Sequence, residues 1–209
     1  LSFRYGSKSS ALVLKNLNFI IPEGKTTAIV GASGSGKTTL IKLLLKFYAP
    51  TSGAIQIDSV DLQNINNDFW RMNCGAVLQE TFMFNDTIAG NISESEQNEI
   101  IDREKLKTAV YISNIEDFIE KLPNKLNTEL GTSGIRLSGG QRQRLSIARM
   151  IIANPAIVIF DESTSALDVA TETKLFTHLQ EFLKNKTVIT IAHRLSTVKN
   201  ASMIYVLDD

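Results

Sequence analysis

Gly31-Ala32-Ser33-Gly34-Ser35-Gly36-Lys37-Thr38 stands between an apolar, β-branched stretch at 26–30 (T-T-A-I-V) and an apolar helical pattern at 38–45 (T-T-L-I-K-L-L-L). Strand, glycine-rich loop and helix in that order form the context in which G-x-x-x-x-G-K-T binds phosphate. Gly31, Gly34 and Gly36 let the backbone wrap closely around a polyphosphate with its N–H groups turned inward. Ala32, Ser33 and Ser35 fill out that loop, and Thr39 continues the first helical turn behind it. The helix start directs the positive end of its dipole at the same charge. Lys37 brings an ammonium to the β/γ-phosphates, and the Thr38 hydroxyl is placed to ligate Mg²⁺. The stretch implies a site for a nucleoside triphosphate.

Outward from the loop, composition sets bounds that agree with this reading. The chain has 209 residues, enough for one large domain or a core with a smaller subdomain, and its 43% hydrophobic content can bury a sizeable core. With 22 basic and 22 acidic residues it carries no net field to attract nucleic acid or a membrane surface. Cys74 is the only cysteine, which excludes a disulfide framework and suits a small buried side chain in a reducing compartment. No apolar run approaches the roughly 18 residues that span a bilayer, so the chain as given is expected to be soluble. It opens inside a strand-like stretch (L-S-F-R-Y) and stops just after another (M-I-Y-V-L-D-D), as expected for a piece of a longer polypeptide.

The first part reads as strand-rich, with candidates at 1–5, 18–21, 26–30 and 53–57 and a turn at Pro22-Glu23-Gly24-Lys25. A further short strand is expected at 76–78. Residues 87–122 turn helical, with Leu106, Ala109, Val110, Ile115, Phe118 and Ile119 at helical spacing. The apolar runs at 156–160 and 187–191 are short and rich in β-branched residues, as strands buried on both faces are. Such alternation predicts an α/β fold with a mostly parallel sheet, an N-terminal antiparallel β subdomain and an inserted helical subdomain. The expected division is one domain over 1–209, with core and β parts at about 1–78 and 156–209 and the helical part at about 80–153.

Two more elements carry chemistry. Asp161-Glu162 ends the run Ile157-Val158-Ile159-Phe160, at the strand end where open α/β sheets bind ligands. Asp161 can hold Mg²⁺ opposite Thr38, and Glu162 can polarise an attacking water as general base; the bland alternative is an acidic pair capping the next helix. Leu137-Ser138-Gly139-Gly140-Gln141 introduces a helical segment over 141–153 and forms a second helix-start anion site. Alone that string is only a helix cap. Here Asp161 follows Gln141 by 20 residues and a phosphate loop lies upstream.

With these three elements the whole chain closely resembles the nucleotide-binding domain of ATP-binding cassette (ABC) transporters. The resemblance implies ATP and Mg²⁺ as ligands, ATP hydrolysis as the activity, and Ser138, Gly139, Gly140 and Gln141 as nucleotide-binding residues of the signature. It makes Tyr5 an adenine-stacking aromatic, Gln79 a member of the Mg²⁺ shell at a joint between subdomains, and His193 a donor to the γ-phosphate. Ser165-Ala166-Leu167-Asp168 matches the loop that lines the contact between two cassettes. His178, among polar residues of a helical pattern, reads as plain surface.

Finer details resemble exporters. Phe82-Met83-Phe84-Asn85-Asp86-Thr87-Ile88 and Asn91-Ile92 match the exporter segment after the glutamine, and Thr128-Glu129-Leu130-Gly131 the start of a loop that meets coupling helices. Thr132-Ser133 depart from the charged pair many exporters carry there, and Ser163 replaces a more usual alanine. The strings W-R-M-N-C-G-A-V-L-Q and N-I-E-D-F-I-E-K-L-P resemble bacterial peptide and protein exporters, including bacteriocin-type ones. Implied partners are a second cassette, with ATP at a homodimer interface, and the transmembrane domain of the same transporter, at the cytoplasmic face of the inner membrane. No nucleic-acid partner is implied. A soluble cassette ATPase of DNA maintenance or translation is the alternative. The gap of about 100 residues between loop and signature shows no heptads, which disfavours the coiled-coil members.

Overall fold

The stretch at 26–30 is a strand, β1 (Thr26–Gly31), and it passes through the glycine loop into α1 (Lys37–Leu44). There follow β2 (Gln56–Ile57), β3 (Val60–Asp61), α2 (Asn67–Met72) and β4 (Cys74–Val77). Then come α3 (Ile88–Ser93), α4 (Arg103–Ile112), α5 (Glu116–Glu120), α6 (Gly139–Ala153), β5 (Ile157–Asp161), α7 (Val169–Leu183), β6 (Thr187–Ile191) and β7 (Met203–Leu207). The computed structural model describes residues 1–7, 9–94, 102–131, 134–161, 166–191 and 201–208. Among the described residues no helix is long and apolar enough to cross a membrane.

The chain divides into two compact units. One comprises Leu1–Cys74, Ala156–Asp161 and Asn185–Asp209, and the other Gly75–Pro155 and Glu162–Lys184. The helical part expected at about 80–153 lies within the second unit, which also takes α7.

In the first unit β5, β6, β1 and β7 lie side by side in that order in one sheet. β1 pairs with β6 and β7, and β5 with β6, all in parallel. Val158, Ile159, Phe160, Val188, Ile189, Ala28 and Ile29 are buried, as the short β-branched runs require of strands covered on both faces. α1 lays Leu40, Ile41, Leu43 and Leu44 inward, and each such side chain contributes roughly 1.5–3 kcal/mol of burial. Register decides what this sheet presents. Asp161 aligns with Ile191, and Ile191 with Ile29, two residues before Gly31. Asp161 and the phosphate loop therefore leave the same C-terminal edge, two strands or about 10 Å apart.

Three strand expectations change. Only Gln56–Ile57 of the stretch 53–57 is a strand, paired antiparallel to β3, because Gly53 has φ +77° and breaks the extended run. Residues 1–5 form two isolated antiparallel bridges, Ser2 to Ser52 and Phe3 to Leu14, instead of a strand. Residues 18–21 are irregular. There the Ile20 N–H donates to the Tyr205 hydroxyl at 3.3 Å, and that hydroxyl donates to the Ile20 carbonyl at 2.7 Å, so a side chain takes a ladder's place.

The second unit packs α6 against α3 and α4, over a core that includes Ile88, Ile92, Leu106, Ala109, Val110, Ile115, Ile119, Leu145 and Ile147. Short polar side chains start several of its helices. The Thr87 hydroxyl caps α3 through the Gly90 N–H, Asp102 caps α4, and Asp168 caps α7. Asn154 ends α6 in the left-handed conformation immediately before Pro155. His178 is more than surface. Its ring stacks on Tyr111 at 4.7 Å, and Nδ1 lies 3.3 Å from the Tyr111 carbonyl, pinning α7 to α4.

Candidate nucleotide-binding site

β1 delivers the chain to Gly31, where a Cβ would collide with the Leu207 carbonyl oxygen, so only glycine lets β7 lie this close. The loop then turns through Gly34 at φ +89° and Gly36 at φ +93°, a region that disfavours side chains. At Gly36 space is also lacking, since a Cβ would stand 2.5 Å from Leu14 Cδ2 and 3.3 Å from the Val13 carbonyl. Gly36 caps α1 without a side chain, and no acidic residue occupies the first turn. The first amides of α1 therefore face outward with neither a carboxylate nor a hydroxyl cap to neutralise them.

Lys37 is buried. Its Nζ donates to the Gly31 and Ala32 carbonyls at 2.9 and 2.7 Å and reaches Ser35 Oγ at 3.4 Å. The loop thus holds its cation in place by its own carbonyls, at the mouth of a cradle of amides. Ser35 and Thr39 are buried and Ala32, Ser33, Gly34 and Thr38 exposed, so the Thr38 hydroxyl is open at the helix start. Asp161, at the end of β5, is 1% exposed. The set fits a polyphosphate and its divalent cation: amides and one ammonium for the anion, a hydroxyl and a carboxylate at one sheet edge for the metal.

Tyr5 is half-buried beside this loop. Its hydroxyl is 3.1 Å from Thr39 Oγ1, and its ring meets Phe3 and Tyr48 edge-on at 4.9 and 5.2 Å. The hydroxyl pair ties the aromatic to the helix of the phosphate loop, a link no sequence pattern announces.

Gln79 and the signature residues Ser138, Gly139, Gly140 and Gln141 belong to the second unit. Ser138 and Gln141 form a capping box: the Gln141 N–H donates to Ser138 Oγ at 3.2 Å, and the Ser138 N–H donates to Gln141 Oε1 at 2.8 Å. α6 consequently starts at Gly139, two residues before the start expected from the helix-poor glycines. Ala166 and Leu167 cross Gly139 and Gly140 so closely that a Cβ on Gly140 would lie 2.9 Å from Leu167 Cδ2. The Ala166 N–H donates to Gln143 Oε1 at 3.3 Å, which seats that loop on the start of α6. Gln79 is exposed and lines a cleft of about 340 Å³ with Glu80, Thr81, Gly139, Arg142 and Gln143. Glu162 and His193, and with them Ser163, Ser165, Thr132 and Ser133, lie outside the described residues.

Sequence reasoning missed one further cluster. Asn91 and Arg149 bind the backbone of 82–87 through five hydrogen bonds, two more join Arg149 to Asn91, and Arg149 stacks over Phe84 at 5.2 Å. Burial pulls the Arg149 guanidinium below its ordinary pKa, with Glu94 opposing. Burial likewise pushes the Cys74 thiol up to about 12, so it is an uncharged side chain at neutral pH.

Comparison with known proteins agrees with this geometry. A family model described as ABC transporter matches residues 14–165. The chain is 45% identical over 207 residues to an ATP-dependent lipid A-core flippase of Haemophilus influenzae, covering 99% of this chain and 35% of that protein. It is equally 45% identical to the alpha-hemolysin translocation ATP-binding protein HlyB of Escherichia coli O157:H7, over 99% of this chain and 29% of that one. It superposes on a bacterial Atm1-family ABC exporter solved with ATP bound, with TM-score 0.91 and 40% identity, over 99% of this chain and 36% of that chain. The chain thus spans about a third of the length of these three relatives. With most of its length inside the family match and the phosphate cradle where the motifs require it, the chain belongs to the ABC transporter family.

Proposed function

We propose that this chain is the ATP-hydrolysing motor of a membrane exporter, working as a pair of cassettes bound to a transmembrane domain at the cytoplasmic face of the membrane. The carrying observation is the phosphate cradle: uncapped α1 amides, left-handed Gly34 and Gly36, and a buried Lys37 at the C-terminal sheet edge that also bears Asp161. Relatives that include a flippase, a translocation protein and a structurally similar exporter support the transport assignment.

In this reading the loop amides and Lys37 bind the β- and γ-phosphates, and Tyr5 offers a π-face to the purine. Thr38 and Asp161 would hold Mg²⁺, with Gln79 joining its shell as the family resemblance implies, and the ion would neutralise charge on the phosphate oxygens. Glu162 orients the attacking water and accepts its proton, and His193 donates to the γ-phosphate. Ser138, Gly139 and Gly140 of one copy meet the γ-phosphate held by the other, so ATP joins two copies head to tail and its hydrolysis lets them part.

The test is a pair of variants. Glu162→Gln keeps shape while removing the base, so ATP binding survives and turnover falls by about 10² to 10⁴. Light scattering at micromolar protein then gives monomers without nucleotide and dimers with ATP. Adding Ser138→Arg fills the signature site and abolishes the dimer while the monomer still binds ATP. An ATP-dependent dimer that persists undiminished in the double variant refutes the shared site.

A further inference from the structure

We propose that Thr39 and Tyr48 are positioning residues for the Tyr5 ring, the hydroxyl of Thr39 fixing its reach over α1 and the edge of Tyr48 fixing its tilt. The proposal rests on the reading of Tyr5 as the base-stacking residue. The backbone supplies little of that position. β-bridge pairing of the N-terminal segment stops at Phe3, and the chain turns at Gly6 with φ +75°, so Tyr5 lies between the last bridge and the turn. Arg4 is tied by its N–H to Thr51 Oγ1 at 3.1 Å, which holds the segment but not the angle of the next side chain.

Three side-chain contacts do what a ladder would otherwise do. Phe3, 4% exposed, meets the Tyr5 ring at 84°, and Tyr48 meets it at 88°, both edge-to-face arrangements that the ring quadrupole favours. Phe3 and Tyr48 also touch each other, centroids 5.6 Å apart, which closes a triangle of rings. The third contact is the Tyr5 hydroxyl on Thr39 Oγ1 at 3.1 Å, and Thr39 is buried in the first turn of the phosphate helix. With its hydroxyl and its flanks committed, the Tyr5 ring has a π-face as its means of engaging a base. The hydroxyl bond also joins the base site to the phosphate site through a single pair of side chains.

The experiment compares two Mg²⁺ complexes by calorimetry, ATP and inorganic tripolyphosphate, because the latter has phosphates and no base. The readout is the ratio of their Kd values, which a general loosening of the loop leaves unchanged. Tyr5→Phe keeps the ring and removes the hydroxyl. Tyr48→Leu removes the edge contact, and each is expected to lower the preference for ATP by about threefold to tenfold. Tyr48→Phe restores the edge and returns the ratio to that of the wild type. Tyr5→Phe combined with Thr39→Val gives the same ratio as Tyr5→Phe alone, since both sever one bond. Tyr5→Ala separates the two ideas. If Tyr5→Ala leaves the ratio unmoved, the stacking assignment itself fails. If Tyr5→Ala lowers it while Tyr5→Phe and Tyr48→Leu both keep the wild-type ratio, the stacking stands and the positioning proposal is overturned.

Discussion

Replacing Asn91 by alanine tests whether hydrogen bonds or packing hold the segment that carries Phe82 to the surface. Asn91 lies in α3 and is 1% exposed. Its Oδ1 accepts the Phe84 N–H at 2.8 Å, and Nδ2 donates toward the Phe84, Thr87 and Asp86 carbonyls at 3.0, 3.0 and 3.3 Å. Two hydrogens serve those three carbonyls, so the side chain makes three full bonds. At about 1 kcal/mol net for each, the loss is about 3 kcal/mol. The Arg149 Nη2 bond to Asn91 Oδ1 at 3.2 Å is lost as well, but Nε keeps its bond to the Asn91 carbonyl at 2.7 Å, so the guanidinium stays paired and adds little to this sum. If the chain unfolds in one transition, unfolding entropy of about 2.1 cal/mol/K per residue converts 3 kcal/mol into a Tm lower by about 7 °C, and by more if the second unit melts alone. Circular dichroism gives the Tm, and amide exchange at Phe84 localises the effect. Asn91→Leu is the decisive comparison, since it refills the volume while leaving the same polar groups unpaired. The reasoning requires the leucine variant to fall as far as the alanine one. A leucine variant melting within about 2 °C of wild type would falsify it, with packing the real source of the order.

Two other perturbations follow from the same geometry. Gly36→Ala forces a Cβ against Leu14 and a left-handed backbone that costs about 1–2 kcal/mol, so Mg²⁺–ATP affinity should drop by about tenfold or more; unchanged affinity in a folded variant would show that the loop conformation is not what binds. Asp168 accepts from the Thr171 N–H and hydroxyl at 2.9 and 2.7 Å, which holds its carboxyl below its ordinary 3.8. A depressed pKa contributes stability above the unfolded value that disappears as pH falls through the folded one. The Tm gap between wild type and Asp168→Ala should therefore stay flat down to about pH 5 and close below about pH 4, and a gap that widens in acid contradicts the assignment.

The parts of this fold that were legible in the sequence are those whose cause is local. β1, the loop and α1 follow from residue types within about 20 positions: β-branched apolar residues, glycines at left-handed turns, then a helix whose apolar side faces the sheet. The strand at 187–191 was legible for the same reason, since a short β-branched run buried on both faces has few other uses. The stretch at 18–21 misled because its alternation is genuine while its partner is the hydroxyl of Tyr205, 185 residues from Ile20. Asn91 was opaque for a related reason. It binds backbone carbonyls, which every residue has, so no complementary residue type marks its partners. Tyr5 shows the mixed case: its aromatic character was readable, but the Thr39 hydroxyl that anchors it is an ordinary loop-helix threonine until the chain is folded.

Ser138 shows why residue type alone cannot separate a helix cap from an anion site. The capping box commits one lone pair of its hydroxyl to the Gln141 N–H and commits its own N–H to Gln141 Oε1. It leaves the hydroxyl hydrogen and the Gly139 and Gly140 amides outside the box. Those are the donors an incoming phosphate would need, so capping and binding draw on different atoms of one serine. The glycines serve both purposes as well. Bare Cα positions bring Ala166 and Leu167 against the helix start, and the same bareness leaves the amides uncovered by a side chain of their own. A cap built with alanines would hold α6 equally well yet push Ala166 and Leu167 away. The preference for glycine at both positions is thus a statement about close approach. In the proposed pair of cassettes, the second chain's phosphate would meet donors already held in place by the box.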